Sequence, residues 1–150
     1  YFRRRPPKSA GREQFGGAFV ERLLAAREAS GAPDLVCTAA ELTARTVSDA
    51  VLKYTETSRN WDRVLVSGGG VHNAYLMRRL QELLPNLKVG PTDSLGIPAD
   101  AKEAIGFAVL ANETLELAAG NVPSATGARR PAILGKVTYG RNYSRLRGIS

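Results

Sequence analysis

Apolar positions along the chain alternate between helical and extended spacing. Phe15, Phe19, Leu23 and Leu24, with Val20 alongside, recur at helical intervals and predict a helix ending near Ser30-Gly31. Asp34 is suited to open a short turn. Thr38-Ala39-Ala40-Glu41 then has the form of a capping box, in which hydroxyl and carboxylate each satisfy a free backbone N–H. Leu42, Val47, Ala50, Val51 and Tyr54 supply the buried stripe of the helix expected to follow. Val64–Val66 is a short β-branched strand, and Leu87-Lys88-Val89 a second. Between them Asn73 can cap a helix through Leu76, Leu80, Leu83 and Leu84, closed by Pro85. A helix between two strands in so short a span predicts a βαβ unit with parallel strands and a right-handed crossover. Asp100-Ala101-Lys102-Glu103 reads as another helix start, continued by Ala104, Phe107, Ala108, Ala111 and Leu115 until Gly120. Residues 121–137 read as a loop followed by an edge strand, and no internal repeat is present.

The first strand stops at Gly68-Gly69-Gly70. In an open α/β sheet, ligands gather beyond the carboxyl ends of parallel strands. A following helix N-terminus offers unpaired N–H groups and a favourable dipole to anions. Glycines let a backbone approach a ligand without Cβ clashes and permit positive φ. The tripeptide alone is equally a sharp strand-to-helix turn. The segment reads GGGVHN, which lacks the GxGxxG dinucleotide fingerprint and the GK[ST] of a Walker A loop. A redox enzyme or P-loop ATPase is therefore disfavoured.

Composition narrows the class. With 150 residues, 43% of them apolar, the chain has the size and core of one domain. Its apolar runs are broken by charge well short of the roughly 20 residues that span a bilayer. No apolar segment of a signal peptide follows the basic N-terminus. A chain opening on Tyr1 reads as a piece of something longer. Cys37 alone cannot form an internal disulfide and fits a reducing, cytoplasmic setting, as a small buried apolar residue. One Cys and one His do not make a zinc site of the usual kind, and no metal ligand is assigned. His72 reads as a surface or turn residue.

The net charge of +7 sits on the ends. Arg3, Arg4, Arg5, Lys8 and Arg12 occupy the first segment, and Arg129, Arg130, Lys136, Arg141, Arg145 and Arg147 the last. Neither segment holds an acid, so the centre carries all 14 acidic residues and is mildly negative. That distribution argues for solvated termini or contacts to another domain, against a nucleic-acid partner, whose affinity would fall steeply with salt.

The segments PPKSAGREQF (6–15), CTAAELTARTV (37–47), VSGGGVHNAYLMRRLQELLP (66–85), TDSLGIPADAKEAIGFAVLA (92–111) and NVPSATGA (121–128), in this order, resemble the C-terminal part of the anhydro-N-acetylmuramic acid kinase family. Levoglucosan kinase is a similar relative. The resemblance covers nearly all of residues 1–138. It implies an α/β chain that is the C-terminal domain of the sugar-kinase/actin/Hsp70-like (ribonuclease H-like) ATPase fold, with residues 139–150 a basic extension. It implies a kinase of peptidoglycan and amino-sugar recycling that opens the 1,6-anhydro ring with water and phosphorylates O6, using ATP and Mg²⁺. The partners implied are ATP or ADP, an anhydrosugar shared with an N-terminal domain, and a second copy in a homodimer, with no nucleic acid and no membrane.

By the same resemblance, Gly68, Gly69, Gly70 and Asn73 match the adenosine-binding motif of the fold. They would wrap the nucleoside and α-phosphate side of the nucleotide. Glu103, the acid of a D-x-x-E-A pattern, would face the cleft and touch a sugar hydroxyl or a Mg²⁺-bound water. Its other reading is a capping box with Asp100. Lys8-Ser9-x-Gly11-Arg12-Glu13 matches a family stretch that usually has Thr where this chain has Ala10, and Thr126-Gly127-Ala128 reads as a loop turn. No catalytic residue is assigned, because the family's catalytic Asp and phosphate loops would precede Tyr1. Acid–base and phosphoryl-transfer chemistry need both in one cleft, so this chain alone should not turn over. Two other readings remain: a levoglucosan-type kinase fragment, and a non-catalytic interaction module of the same fold.

Overall fold

A computed structural model describes residues 1–26, 31–55 and 60–141. The elements are α1 (Arg12–Phe15), α2 (Gly17–Ala25), α3 (Ala32–Tyr54), β1 (Arg63–Val66), α4 (Ala74–Leu83), β2 (Lys88–Pro91), α5 (Lys102–Leu115) and α6 (Pro123–Thr126). Single 3₁₀ turns stand at Gly69–His72, Thr92–Leu95 and Ala99–Ala101. The described residues form two compact units. One comprises Tyr1–Arg3 and Ala10–Glu103; the other comprises Arg4–Ser9 and the residues from Ala104 onward. The basic extension expected at 139–150 lies mostly outside the described residues.

In the first unit, β1 and β2 pair in parallel, with Val64 opposite Val89 and Val66 opposite Pro91. The parallel pairing expected of the βα4β unit is thus present. α4 packs on β2 and on α3. The buried apolar side chains among the described residues are few: Ala44 on α3, Leu80 and Leu84 at the end of α4, and Ala99. Leu80 and Leu84 lie four residues apart, on one face of the helix and its cap.

Four expectations about helix limits are corrected in this unit. The helix through Phe15 and Leu24 is two helices, broken at Gly16. A Cβ there would lie 2.2 Å from the Arg12 carbonyl oxygen, so the close approach requires glycine. Its expected end at Ser30 lies outside the described residues. Phe15 and Phe19 instead join an aromatic cluster with Tyr1 and Phe2, edge-to-face except for the tilted Phe2–Phe15 pair. α3 begins at Ala32, not after Thr38. Pro33 suits the first turn, and the Asp34 carboxylate accepts the Gly31 N–H at 3.1 Å. Asp34 therefore starts the helix rather than a separate turn. Thr38 lies inside it, donating to the Asp34 carbonyl at 2.7 Å, and no capping box forms with Glu41. The stripe on α3 runs through Ala44 and Ser48, while Val47, Ala50 and Tyr54 are exposed.

Cys37 is exposed, contrary to expectation. α4 has 10 residues against 23 in α3 and leaves the start of α3 uncovered. Cys37 there lines an open hollow with Thr38, Glu41, Leu42 and Tyr75.

Ser48 is 2% exposed, and among the described residues its hydroxyl has no hydrogen-bond partner. A buried hydroxyl without a hydrogen bond costs the desolvation of that group. Ser48→Ala removes it and raises helix propensity, so it should stabilise the chain by about 1 kcal/mol. Urea unfolding checks this; a lower midpoint would mean that the hydroxyl has an acceptor.

In the second unit, α5 stops at Leu115, short of Gly120. Leu117 takes a left-handed conformation (φ 57°), and the Ala118 N–H bonds back to the Glu113 carbonyl at 2.8 Å. The edge strand expected before Val137 is absent among the described residues. Asn121 holds that segment instead, donating to the Arg130 carbonyl at 3.1 Å and accepting from the Ala132 N–H at 2.7 Å. The Thr114 hydroxyl donates to the Leu134 carbonyl. Thr126-Gly127-Ala128 is a turn: Gly127 (φ 80°) ends α6 with its N–H on the Pro123 carbonyl at 2.8 Å. Leu134 and Val137 line an apolar hollow of about 400 Å³ with Phe107, Leu110 and Thr114.

Candidate functional site

The parallel register brings the end of β1 beside the end of β2, and the glycines leave from there. Gly68 has φ 79° and ψ −178°, a region only glycine occupies without strain. Its N–H donates to the Ala99 carbonyl at 2.9 Å. Gly69–His72 then make one 3₁₀ turn, with Val71 N–H on the Gly68 carbonyl and Asn73 N–H on the Gly70 carbonyl, both at 3.1 Å. The cap expected at Asn73 is present, and the 3₁₀ turn leads from the glycines to it. Asn73 caps α4 by accepting the Leu76 N–H on Oδ1 at 3.0 Å.

The three glycines differ in backbone conformation and in what an added Cβ would face. Gly68 needs its positive φ. A Cβ added at Gly69 would meet nothing within 4 Å, and one at Gly70 would sit at ordinary contact, 3.5 Å from Leu76 Cδ2. The turn thus presents a bare backbone face to open space. Among the described residues the N–H groups of Gly69 and Gly70 have no acceptor. An open, Cβ-free face with two spare donors suits the sugar and phosphate oxygens of a nucleotide.

His72 stands at the far end of this turn. Its Nε2 lies 3.0 Å from both carboxylate oxygens of Asp100, 28 residues on. Asp100 therefore serves His72 instead of capping α5 with Glu103. The Ala99–Ala101 turn is itself braced, since Ala99 N–H donates to Asp93 Oδ2 at 3.2 Å. Glu103 lies in the first turn of α5, exposed, three residues beyond Asp100.

Sequence patterns did not disclose the cluster that holds α4, and with it the glycine turn, onto α3. Glu41 accepts a bidentate pair from Arg79, Nε to Oε2 and Nη2 to Oε1, both at 2.8 Å. Arg45 Nε donates to Oε1 at 2.7 Å and the Tyr75 hydroxyl to Oε2 at 3.1 Å. Glu82 takes the remaining arm of Arg79. Arg79 and then Arg45 hold the Glu41 carboxyl down to about 2, from an ordinary 4.5. Partial burial, then the bond to Glu41, push the Tyr75 phenol up.

A carboxyl with a lowered folded pKa stabilises above its unfolded value and loses that contribution as pH falls. The melting-temperature gap between the wild type and Glu41→Gln should therefore be full above about pH 4.5 and should close towards pH 2. A gap that stayed constant across this window would deny Glu41 its role.

Among the described residues no helix is long and apolar enough to cross a membrane, and no three His, Cys, Asp or Glu side chains converge as a metal site.

The family model for anhydro-N-acetylmuramic acid kinase matches residues 1–140. The chain is 44% identical over 146 residues to the anhydro-N-acetylmuramic acid kinase of Streptomyces coelicolor, covering 97% of this chain and 36% of that protein. It is 44% identical over 140 residues to the enzyme of that name from Salinibacter ruber, covering 92% and 35%. Against the Francisella tularensis subsp. novicida protein of the same name it is 37% identical over 139 residues, covering 93% and 36%. The chain thus spans about 36% of the length of the curated relatives it matches.

Proposed function

This chain belongs to the anhydro-N-acetylmuramic acid kinase family, and from that premise we propose that it supplies the nucleotide-facing part of such a kinase. In this reading it is the C-terminal domain of a sugar-kinase/actin/Hsp70-type fold, with 1–138 as the domain and 139–150 as a basic extension. The complete enzyme is a cytoplasmic one that opens the 1,6-anhydro ring with water and transfers the terminal phosphoryl of ATP to O6. ATP would supply that group, with Mg²⁺ to neutralise the charge of its phosphates.

The residues here bind and orient. Gly68 turns the chain at the strand end. The N–H groups of Gly69 and Gly70 donate to oxygens on the nucleoside and α-phosphate side. Asn73 fixes where α4 begins, and so where those amides lie. Glu103 would accept a hydrogen bond from a sugar hydroxyl or from a Mg²⁺-bound water. No residue of this chain is assigned as the general base. The single observation that carries the reading is the open, Cβ-free face at Gly68 and Gly69.

A calorimetric titration of this chain with Mg-ADP, paired with melting curves, tests it. At about 100 times its Kd the ligand should add roughly 2.7 kcal/mol of stability. Absence of both heat and stabilisation at millimolar Mg-ADP would defeat the reading. A second reading, an interaction module of the same fold, draws on α5. That helix buries no residue, and Phe107 is 72% exposed. Self-association without nucleotide affinity would favour it.

A further inference from the structure

Two ties hold the glycine turn to the turn that starts α5. At its entry, Gly68 N–H bonds the Ala99 carbonyl; at its exit, His72 Nε2 meets Asp100. The first is a backbone bond on a residue only 4% exposed. It does not depend on the side chains of His72 or Asp100. The second joins two side chains that are 67% and 69% exposed. Exposed pairs add little to global stability. This one, however, spans 28 residues and bonds both oxygens of one carboxylate. It closes a loop whose other side is already fixed by the Gly68 bond. Its effect should therefore be local, on the conformational freedom of the segment between the ties.

We propose that Asp100, acting through His72, is a positioning residue for the glycine turn. The pair keeps the free N–H groups of Gly69 and Gly70 aimed outward, at a fixed offset from Glu103. Without it the turn keeps the Gly68 bond and its junction with α4 at Asn73, and the segment around His72 between them gains freedom. That the ligand so received is a nucleotide rests on the reading above; the positioning itself does not.

The test measures hydrogen exchange and Mg-ADP affinity on this chain and its variants. The protected N–H groups of the turn include those of Gly68, Val71 and Asn73. Asp100→Ala and His72→Ala should each speed exchange at Val71 and Asn73 by roughly threefold to fivefold, leaving Val64–Val66 on β1 unchanged. The double variant should do no more than either single one. His72→Gln, which keeps a donor at similar reach, should stay near the wild type. Unchanged exchange at the turn, or additive single effects, would overturn the proposal.

Mg-ADP affinity should fall by a similar factor in Asp100→Ala, with His72→Gln again close to normal. If Gly69→Val abolishes binding while Asp100→Ala binds as tightly as the wild type, the positioning role fails and the nucleotide reading stands. If the wild type binds no Mg-ADP, the nucleotide reading fails and the exchange pattern alone decides the positioning role.

Discussion

Gly69→Val should eliminate Mg-ADP binding, a loss of at least about 100-fold, while the chain melts close to the wild type. The reason lies in what each glycine faces. At Gly69 an added Cβ meets no protein atom within 4 Å, so the isopropyl group would stand in the open space before the turn. It occupies the volume through which a ribose or phosphate must pass to reach the N–H groups of Gly69 and Gly70. A ligand held off by one branched carbon can no longer reach hydrogen-bonding distance of those amides. Gly68→Ala is the contrasting variant. Its methyl group also enters open space, but at φ 79° the backbone itself is strained, by about 1–3 kcal/mol. Gly70→Ala places its Cβ at ordinary contact with Leu76 and should be tolerated. The three substitutions thus separate fold from ligand: Gly68→Ala lowers stability, Gly69→Val lowers affinity, and Gly70→Ala does little to either. A folded Gly69→Val protein with unchanged Mg-ADP affinity would return the glycines to being only a turn.

The βα4β unit was legible in the sequence because each of its parts is a local pattern. β-branched runs mark the strands, leucines at helical spacing mark α4, and Asn73 is placed where a cap must be. The glycines could be singled out for the same reason, but not assigned separate roles. The φ of Gly68 and the empty space at Gly69 depend on the folded path. Capping boxes misled twice, since Thr38-x-x-Glu41 and Asp100-x-x-Glu103 have the right spacing. In the fold, Pro33 and Asp34 had already started α3, and Asp100 was engaged by His72. A capping signature states what two side chains can do locally, and a distant partner can outbid it. Glu41 with Arg79 and Tyr75 is the clearest case, for its partners lie 34 to 38 residues away and no periodicity announces them. The expected strand before Val137 shows the converse. Its composition suits a strand, but Asn121 and Thr114 satisfy its backbone first.

Leu84→Ala should cost about 2–5 kcal/mol, the range for truncating a buried leucine. Leu84 is 1% exposed, the largest fully buried side chain among the described residues, and Leu80 on the same face is 2% exposed. The other buried apolar residues among those described, Ala44 and Ala99, are small, so Leu80 and Leu84 supply most of the buried apolar bulk. Domains of ordinary stability have only about 5–15 kcal/mol in total. One methyl-lined cavity here therefore removes a large share of it. The damage should also reach the site. α4 is docked by Leu80 and Leu84 at one end and begins at Asn73 at the other, directly after the glycine turn. Loosening α4 lets that turn sample other paths, so the fraction able to bind Mg-ADP falls together with stability. Urea unfolding and titration on the same preparation test both halves of this argument. Phe107→Ala is the control: at 72% exposed it should stay within about 0.5 kcal/mol of the wild type. If Phe107→Ala cost more than Leu84→Ala, the chain's core would lie on α5, and the mechanical link between α4 and the glycine turn would lose its basis.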